Sequence, residues 1–355
     1  MKKVLYITNI EVPYRVEFFN QLSLKCDLTV LYERKKSSNR NIEWSRSINS
    51  NYKIKYLRGI NFNNEYKLSL SILKYAFSKE YDKIIIGCYN SPSQMMMILL
   101  MRMFKKKYIL NVDGEYFIDG KGIKKSIKRF LLRGAEKYLV AGEKSAKRLS
   151  NYVSNEKIET FYFSSMTKDE LNLNRQKKNE NINNYILVVG QFYNYKGLDI
   201  ALEVAKLNTN LKYKFVGAGK RSNLLIGKVK EMNLKNVEVI SFLEKKDLEK
   251  EYQNCKMLLL PTRYECWGLV INEAASFGCP IVSTTGSGAA EEFLDGKFSK
   301  YLVNSNDALE LYEKIQMLIN DEKEIEEYKN FLIEKSSNYY IERNVNVVVE
   351  EINKE

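Results

Sequence analysis

Short, continuous apolar runs alternate along the chain with segments whose apolar positions recur at helical spacing. In the first half, residues 4–8, 28–32, 52–57, 83–87, 108–112, 137–141 and 159–163 predict strands. Between them, 13–22, 68–77, 91–104 and 123–132 predict helices, the first with Pro13 near its start. Runs apolar on both faces, such as Ile84-Ile85-Ile86, suit a buried parallel sheet. The second half repeats the rhythm, with strands at 185–190, 213–217, 237–241, 257–260 and 281–283. Helices are predicted there at 198–207, 221–232, 246–253 and 307–319, and the end of the chain from 325 reads as helical and charged. Residues 34–51 are polar and predict no element, and in 167–184 hydrophobic periodicity disappears, so that stretch is taken as an interdomain linker. The reading is α/β, with two Rossmann-like doubly wound domains, 1–166 and 185–335, facing across a cleft. A helical tail, 336–355, is free to pack back on the N-terminal domain.

At 355 residues the chain can build two separate cores. Its 57 basic against 44 acidic residues give a net charge of +13, which favours anionic partners: nucleotides, nucleic acid or acidic lipid headgroups. Abundant Lys, Asn, Ile and Tyr allow part of that excess to reflect genome composition. The basic residues spread over both halves with no nucleic-acid-binding motif, so nucleic acid is not an expected partner. Histidine is absent, so proton transfer falls to Asp, Glu, Lys, Tyr or the substrate, and the common zinc patterns are excluded. Cys26, Cys88, Cys255, Cys266 and Cys279 are scattered singly, as suits a reducing compartment. No apolar run reaches membrane-spanning length and no leader precedes residue 4, so the expectation is a cytoplasmic protein, at most peripheral on the inner face of the plasma membrane. Lys105-Lys106-Lys107 and the basic amphipathic segment 121–133 are the features that would contact an anionic membrane or a lipid-pyrophosphate acceptor, although such faces are commonly just solvated. Met95, Met96, Met97 and Met101 read as core packing.

The chemistry concentrates in residues 261–280, Pro-Thr-Arg-Tyr-Glu-Cys-Trp-Gly-Leu-Val-Ile-Asn-Glu-Ala-Ala-Ser-Phe-Gly-Cys-Pro, which read as loop, helix and turn between two buried strands. Glu265 and Glu273 stand eight positions apart in it. Were both helical, they would be separated by roughly 12 Å, the span of a ligand with a pyrophosphate in its middle and a ring at each end. Backbone amides of Trp267, Gly268, Leu269 and Val270 would lie at the positive end of that helix, and Gly268 would let an anion approach closely. A lone pair of glutamates is ordinarily the solvated face of an amphipathic helix. Three further loops change that reading. Gly190-Gln191-Phe192-Tyr193-Asn194-Tyr195-Lys196-Gly197 follows a strand and sets a lysine beside free amides. Gly217-Ala218-Gly219-Lys220 ends another strand, and the small residues of 284–290 open a third helix as a second candidate anion seat. Each is weak alone; their order and spacing carry the signal.

That series resembles the C-terminal half of retaining nucleotide-sugar glycosyltransferases of the GT-B fold, and specifically glycosyltransferase family 4, the glycosyl transferases group 1, with their Glu-x7-Glu element. The resemblance covers about residues 184–320, and more loosely 13–19 at the N-terminus, similar to members that build bacterial surface polysaccharides such as capsule, O-antigen or exopolysaccharide. It implies that Glu273 holds the ribose hydroxyls, that Glu265 holds hydroxyls of the donor sugar, and that amides of Trp267 to Val270 receive the sugar and β-phosphate. Lys196 would neutralise the diphosphate, with Gly190 and Gln191 beside it, and Gly217, Gly219, Phe242 and Leu243 would border the base. The implied donor is a UDP-sugar carrying a hexose or N-acetylhexosamine, the implied acceptor a glycan or lipid-pyrophosphate, and no cofactor or metal is expected, there being no Asp-x-Asp triplet.

Three departures stand out. Gln191 occupies the position of a customary arginine, which increases the demand on Lys196. The customary N-terminal histidine is missing, and Asp113, in Asn111-Val112-Asp113-Gly114-Glu115, is the substitute candidate, although Asp-Gly after a strand is commonly only a turn. The loop at 8–14 lacks a Gly-Gly pair. A nucleotide-sugar epimerase or a sugar-phosphate synthase on the same fold is the alternative reading, with a non-catalytic nucleic-acid-binding protein behind it, and the lack of histidine weighs against the epimerase.

Overall fold

The structure is a computed structural model that describes residues 1–35, 49–62, 66–113, 122–176, 184–217, 219–304 and 306–354. The chain divides into two compact units, Met1–Ser165 with Ile341–Glu355, and Met166–Tyr340.

The first unit opens with β1 (Lys3–Ile10), α1 (Pro13–Ser23), β2 (Asp27–Arg34) and β3 (Lys53–Tyr56). A two-stranded hairpin of β4 (Ile60–Phe62) and β5 (Tyr66–Leu68) leads to α2 (Ile72–Ala76). Then come β6 (Lys83–Ile86), α3 (Pro92–Met103), β7 (Ile109–Val112), α4 (Ile123–Leu132), β8 (Lys137–Ala141), α5 (Glu143–Leu149) and β9 (Ile158–Phe161). Seven strands form one parallel sheet in the order β3-β2-β1-β6-β7-β8-β9. Alternate side chains of β1 feed opposite faces. Leu5 and Ile7 join the core that α2, α3 and α4 cover, together with Leu31, Ile86, Leu110 and Val140. Tyr6 meets the aromatic side chains of α1, with its ring 4.8 Å from that of Phe19. Three features differ from the sequence reading, the β4–β5 hairpin being one that no pattern predicted. Residues 68–77 are not one helix, because Ser69 gives its backbone N–H to Ser93 Oγ at 3.1 Å and its hydroxyl to the Arg58 carbonyl, which anchors an extended segment before α2. The helix α5 was unforeseen; its seven residues bury only Ser145 and Leu149, too short a pattern to register as periodic.

The second unit begins at α6 (Lys168–Gln176), within the stretch read as linker. That reading is corrected: Thr167 Oγ1 accepts from the Glu170 N–H at 3.2 Å and Glu170 Oε2 from the Thr167 N–H at 3.0 Å, a reciprocal cap that starts a helix without hydrophobic periodicity. Asn174, buried, then donates to Ser276 Oγ at 3.1 Å. Residues 177–183 lie outside the described residues. There follow β10 (Tyr185–Val189), α7 (Leu198–Leu207), β11 (Lys212–Val216), α8 (Ser222–Glu231), β12 (Val237–Ile240), α9 (Lys245–Asn254) and β13 (Met257–Leu260). The unit continues through α10 (Leu269–Ser276), β14 (Ile281–Thr284), α11 (Gly288–Phe293), β15 (Leu302–Val303), α12 (Ala308–Ile319) and α13 (Glu322–Ser336). Its parallel sheet runs β12-β11-β10-β13-β14-β15. Chain connections leave β10 toward one edge and β13 toward the other, so the doubly wound topology switches between these two strands, and a crevice opens at their carboxyl ends.

The last helix, α14 (Ile341–Asn353), belongs to the first unit. It buries Ile341, Val345, Val348 and Ile352 along one stripe, packs on α1, and donates from Asn344 Nδ2 to the Tyr162 carbonyl at 2.7 Å. The unit boundary thus falls at residue 341, five positions beyond the expected start of the tail.

Candidate active site

The loop after β10 and the loop after β13 meet at the switch point. Lys196 ends a 3-10 turn, Asn194–Lys196, and Gly197 follows in the left-handed conformation with φ 68°. A side chain at Gly197 would collide with the Pro261 carbonyl oxygen, so only glycine lets the first loop lie against the second. Backbone bonds tie them: the N–H groups of Arg263 and Tyr264 both donate to the Tyr195 carbonyl, at 2.8 and 3.2 Å. Arg263 adds a two-pronged bond to Asp199 at 2.7 and 2.8 Å and another to the Asn194 carbonyl at 2.7 Å. Burial opposes ionisation of Asp199, but the bonds and charge of Arg263 outweigh it and lower its pKa. Between these ties Lys196 lays its stem over Gly190 and pairs its ammonium with Glu265 Oε1.

Glu265 is not helical, so the rise-based separation from Glu273 does not apply; α10 starts only at Leu269. The backbone of Glu265 instead bridges the 286–288 loop, accepting from the Gly288 N–H at 3.3 Å and donating to the Gly286 carbonyl at 2.8 Å. Its carboxylate stands at the mouth of α10: a Cβ built on Gly268 would lie 3.3 Å from Glu265 Oε2 and 2.7 Å from Ser287 Oγ. Gly268 takes φ 105°, open to glycine, and caps α10 without a side-chain hydrogen bond. The amides of Leu269 and Val270 are therefore first-turn donors with no partner inside the helix, at its positive end. Among the described residues Glu265 Oε2 is buried and makes no hydrogen bond, an arrangement that invites a donor group. Trp267 contributes only backbone here, since its indole is buried and donates to Asn272 Oδ1 at 2.8 Å. The second candidate anion seat, 284–290, is already used: Ser287 donates to the Trp267 carbonyl at 2.6 Å and caps α11.

Glu273, half-buried on α10, accepts at Oε2 from the buried Tyr252 hydroxyl at 3.0 Å. Burial, reinforced by the Glu273 charge, raises Tyr252 well above an ordinary phenol, so it stays a donor. Farther along the same edge, Gly190 N–H donates to the Val216 carbonyl, Gly217 N–H to Ile240 and Gly219 N–H to Ser241, at 2.9, 3.0 and 3.0 Å, which brings Gly190, Gln191, Gly217 and Gly219 together beside partly exposed Phe242 and Leu243. Ala218 and the side chain of Lys220 lie outside the described residues.

Asp113 lies in the first unit, after β7. It pairs with Arg15 and accepts from Asn111 Nδ2, while Tyr6 donates to Asn111 Oδ1 at 3.0 Å. Burial works against the Arg15 charge, yet Asp113 more than restores it. Gly114 and Glu115 lie outside the described residues. The sequence reading missed Arg263, Asp199 and Tyr252, which hold the three candidate residues of the second unit in place. Partners 64 and 21 positions apart leave no local pattern.

Comparison with known proteins fits this geometry. Residues 169–336 match the family model described as glycosyl transferases group 1. That region resembles a glycosyl transferases group 1 domain. An uncharacterized glycosyltransferase of Methanocaldococcus jannaschii is 27% identical over 267 residues, 73% of this chain and 71% of that one. The O-antigen chain mannosyltransferase C of Escherichia coli is 30% identical over 148 residues, 41% of this chain and 39% of its own. Among solved structures, HepE of Anabaena, crystallised with UDP and glucose, superposes with TM-score 0.71 over 100% of both chains at 14% identity. That likeness is one of fold, and the two parallel sheets with their helices make this chain an α/β protein of the GT-B class.

Proposed function

We propose that the chain is a glycosyltransferase that moves a hexose or N-acetylhexosamine from a UDP-sugar to a glycan or lipid-pyrophosphate acceptor in the building of a bacterial surface polysaccharide, with retention of configuration and without a metal. The observation that carries the reading is the pairing of Lys196 with Glu265 at the open mouth of α10. A pyrophosphate seated on the amides of Leu269 and Val270 draws the Lys196 ammonium to itself and leaves both oxygens of Glu265 for the sugar hydroxyls. As the bond to the anomeric carbon breaks, charge accumulates on the leaving phosphate, where a lysine and a helix N-terminus stabilise it. The acceptor attacks from the face the nucleotide leaves, and the departing phosphate oxygen takes its proton. Glu273, steadied by Tyr252, grips the ribose. The UDP bound to HepE and the O-antigen chemistry of the Escherichia coli relative support the donor base and the product class.

The test is a thermal-shift panel of UDP-, GDP- and dTDP-sugars on the wild-type chain and on Glu265→Gln, followed by turnover with lipid-linked acceptors and by NMR of the anomeric product. A UDP-sugar should raise the melting temperature of the wild type and lose most of that effect in Glu265→Gln. Absence of any nucleotide-sugar shift, or an inverted product, rejects the proposal.

A further inference from the structure

The second unit's site is short of positive charge. A diphosphate adds its charges to the carboxylates of Glu265 and Glu273, and Lys196, the cation in place, is already paired with Glu265. Arg263 is held by Asp199. Arg221 stands differently. It ends the 3-10 turn Gly219–Arg221 that follows β11, a turn closed by the Ser222 hydroxyl donating to the Gly219 carbonyl at 2.6 Å. It is exposed, and its guanidinium enters no ion pair with a described residue. That guanidinium lies 4.2 Å from the centre of the Tyr193 ring. Tyr193 in turn stacks on Tyr195, ring centres 5.6 Å apart and planes within 13°, and the Lys196 ammonium is 5.9 Å from the Tyr195 ring. The loop after β10 thus carries one cation in its own sequence and holds a second, from the loop after β11, on an aromatic face. Such a face fixes the plane of a guanidinium and leaves its N–H edge for an anion. The ground beside it is open: a Cβ built on Gly219 would meet nothing nearer than Gln191 Nε2, at 3.9 Å.

We propose that Arg221 binds the α-phosphate of the donor nucleotide, the one joined to the nucleoside, and that Tyr193 is the positioning residue that holds the guanidinium for it. The inference rests on the nucleotide-sugar reading of the site and adds to it a second cation. Order along the edge decides which phosphate. Lys196 and the mouth of α10 take the phosphate next to the sugar, whereas Arg221 comes from the turn that opens at Gly219, on the nucleoside side. Its fork of N–H groups meets two phosphate oxygens at once, which a lysine does not.

The experiment compares UDP, UMP and uridine, which differ only in their phosphates, on the full chain, by calorimetry for UDP and ligand-observed NMR for UMP and uridine. Arg221→Gln should weaken UDP and UMP by about tenfold and leave uridine within about twofold. Its melting temperature without ligand should match the wild type, since the side chain is exposed. Tyr193→Leu should share the loss for UMP, and Tyr193→Phe, which keeps the ring face, should retain most of the wild-type affinity. Equal UMP affinity in wild type and Arg221→Gln, or a loss as large for uridine as for UMP, overturns the proposal while the donor reading stands. A wild type that binds none of the three ligands removes the UDP reading, and this proposal with it.

Discussion

At the scale of the residue, the contrast between Lys196 and Glu273 is the sharpest. Lys196 faces charge that develops as the nucleotide departs, so Lys196→Ala should lower kcat by on the order of 10²–10³ while the donor dissociation constant moves much less. Glu273 faces ribose in ground and transition states alike, so Glu273→Ala should weaken donor binding by about tenfold or more at nearly constant kcat. Tyr252→Phe should show a diluted form of the same effect, about two- to tenfold in donor KM, because Glu273 keeps its charge and loses one bond. Steady-state kinetics beside calorimetric donor binding separates the three. If Lys196→Ala loses affinity and rate in equal measure, the charge assignment fails. The places of Lys196 and Glu265 in loops after strands, and of Glu273 on the helix that follows, were legible from local pattern, although Glu265 lies before that helix and not in it. Arg263 with Asp199, and Tyr252, were not legible, because tertiary folding alone selects those partners.

At the scale of the element, the two loops of the site are held by one ion pair and one glycine. Asp199 has a pKa lowered in the fold, so the stabilisation from its bond to Arg263 is present above the unfolded value of about 3.9 and is lost as pH falls through the lower folded value. Asp199→Asn should therefore lose about 1 kcal/mol at neutral pH, discounted for the partial exposure of the pair. The gap from wild type should narrow in urea unfolding as pH falls below about 3.9 and close once Asp199 is protonated in the fold as well; a gap that persists in acid would assign the loss to packing. Gly197→Ala should cost more, about 2 kcal/mol or above, since the clash is with backbone. A further contrast comes from α6, where Thr167→Ala removes a cap worth about 1 kcal/mol and should lower the melting temperature without touching donor KM. That helix escaped the hydrophobic pattern because only Leu171 and Asn174 are buried, yet its Thr-x-x-Glu start was readable as a capping box.

At the scale of the whole molecule, alternation of apolar runs and amphipathic segments was enough to foresee two doubly wound halves. Strand order was not readable, because pairing between β10 and β13 joins segments some 70 residues apart and long-range pairing is set by how crossovers pack, not by local propensity. The observed order nonetheless has a functional corollary. Each unit has its own sheet and its own switch point, and the candidate residues divide between them: Lys196, Glu265 and Glu273 in the second, Asp113 in the first. If donor recognition belongs to the second unit, substitutions in the first should leave it intact. Asp113→Asn keeps the shape of the side chain but weakens its pairing with Arg15. It should slow transfer or raise the acceptor KM by about tenfold or more, with the UDP-sugar thermal shift unchanged. The matching measurement on Glu273→Ala should give the opposite split, a diminished shift with the acceptor KM preserved. A donor shift that falls in Asp113→Asn as far as in Glu273→Ala would mean that donor binding draws on both units, and the division of labour between them would have to be abandoned.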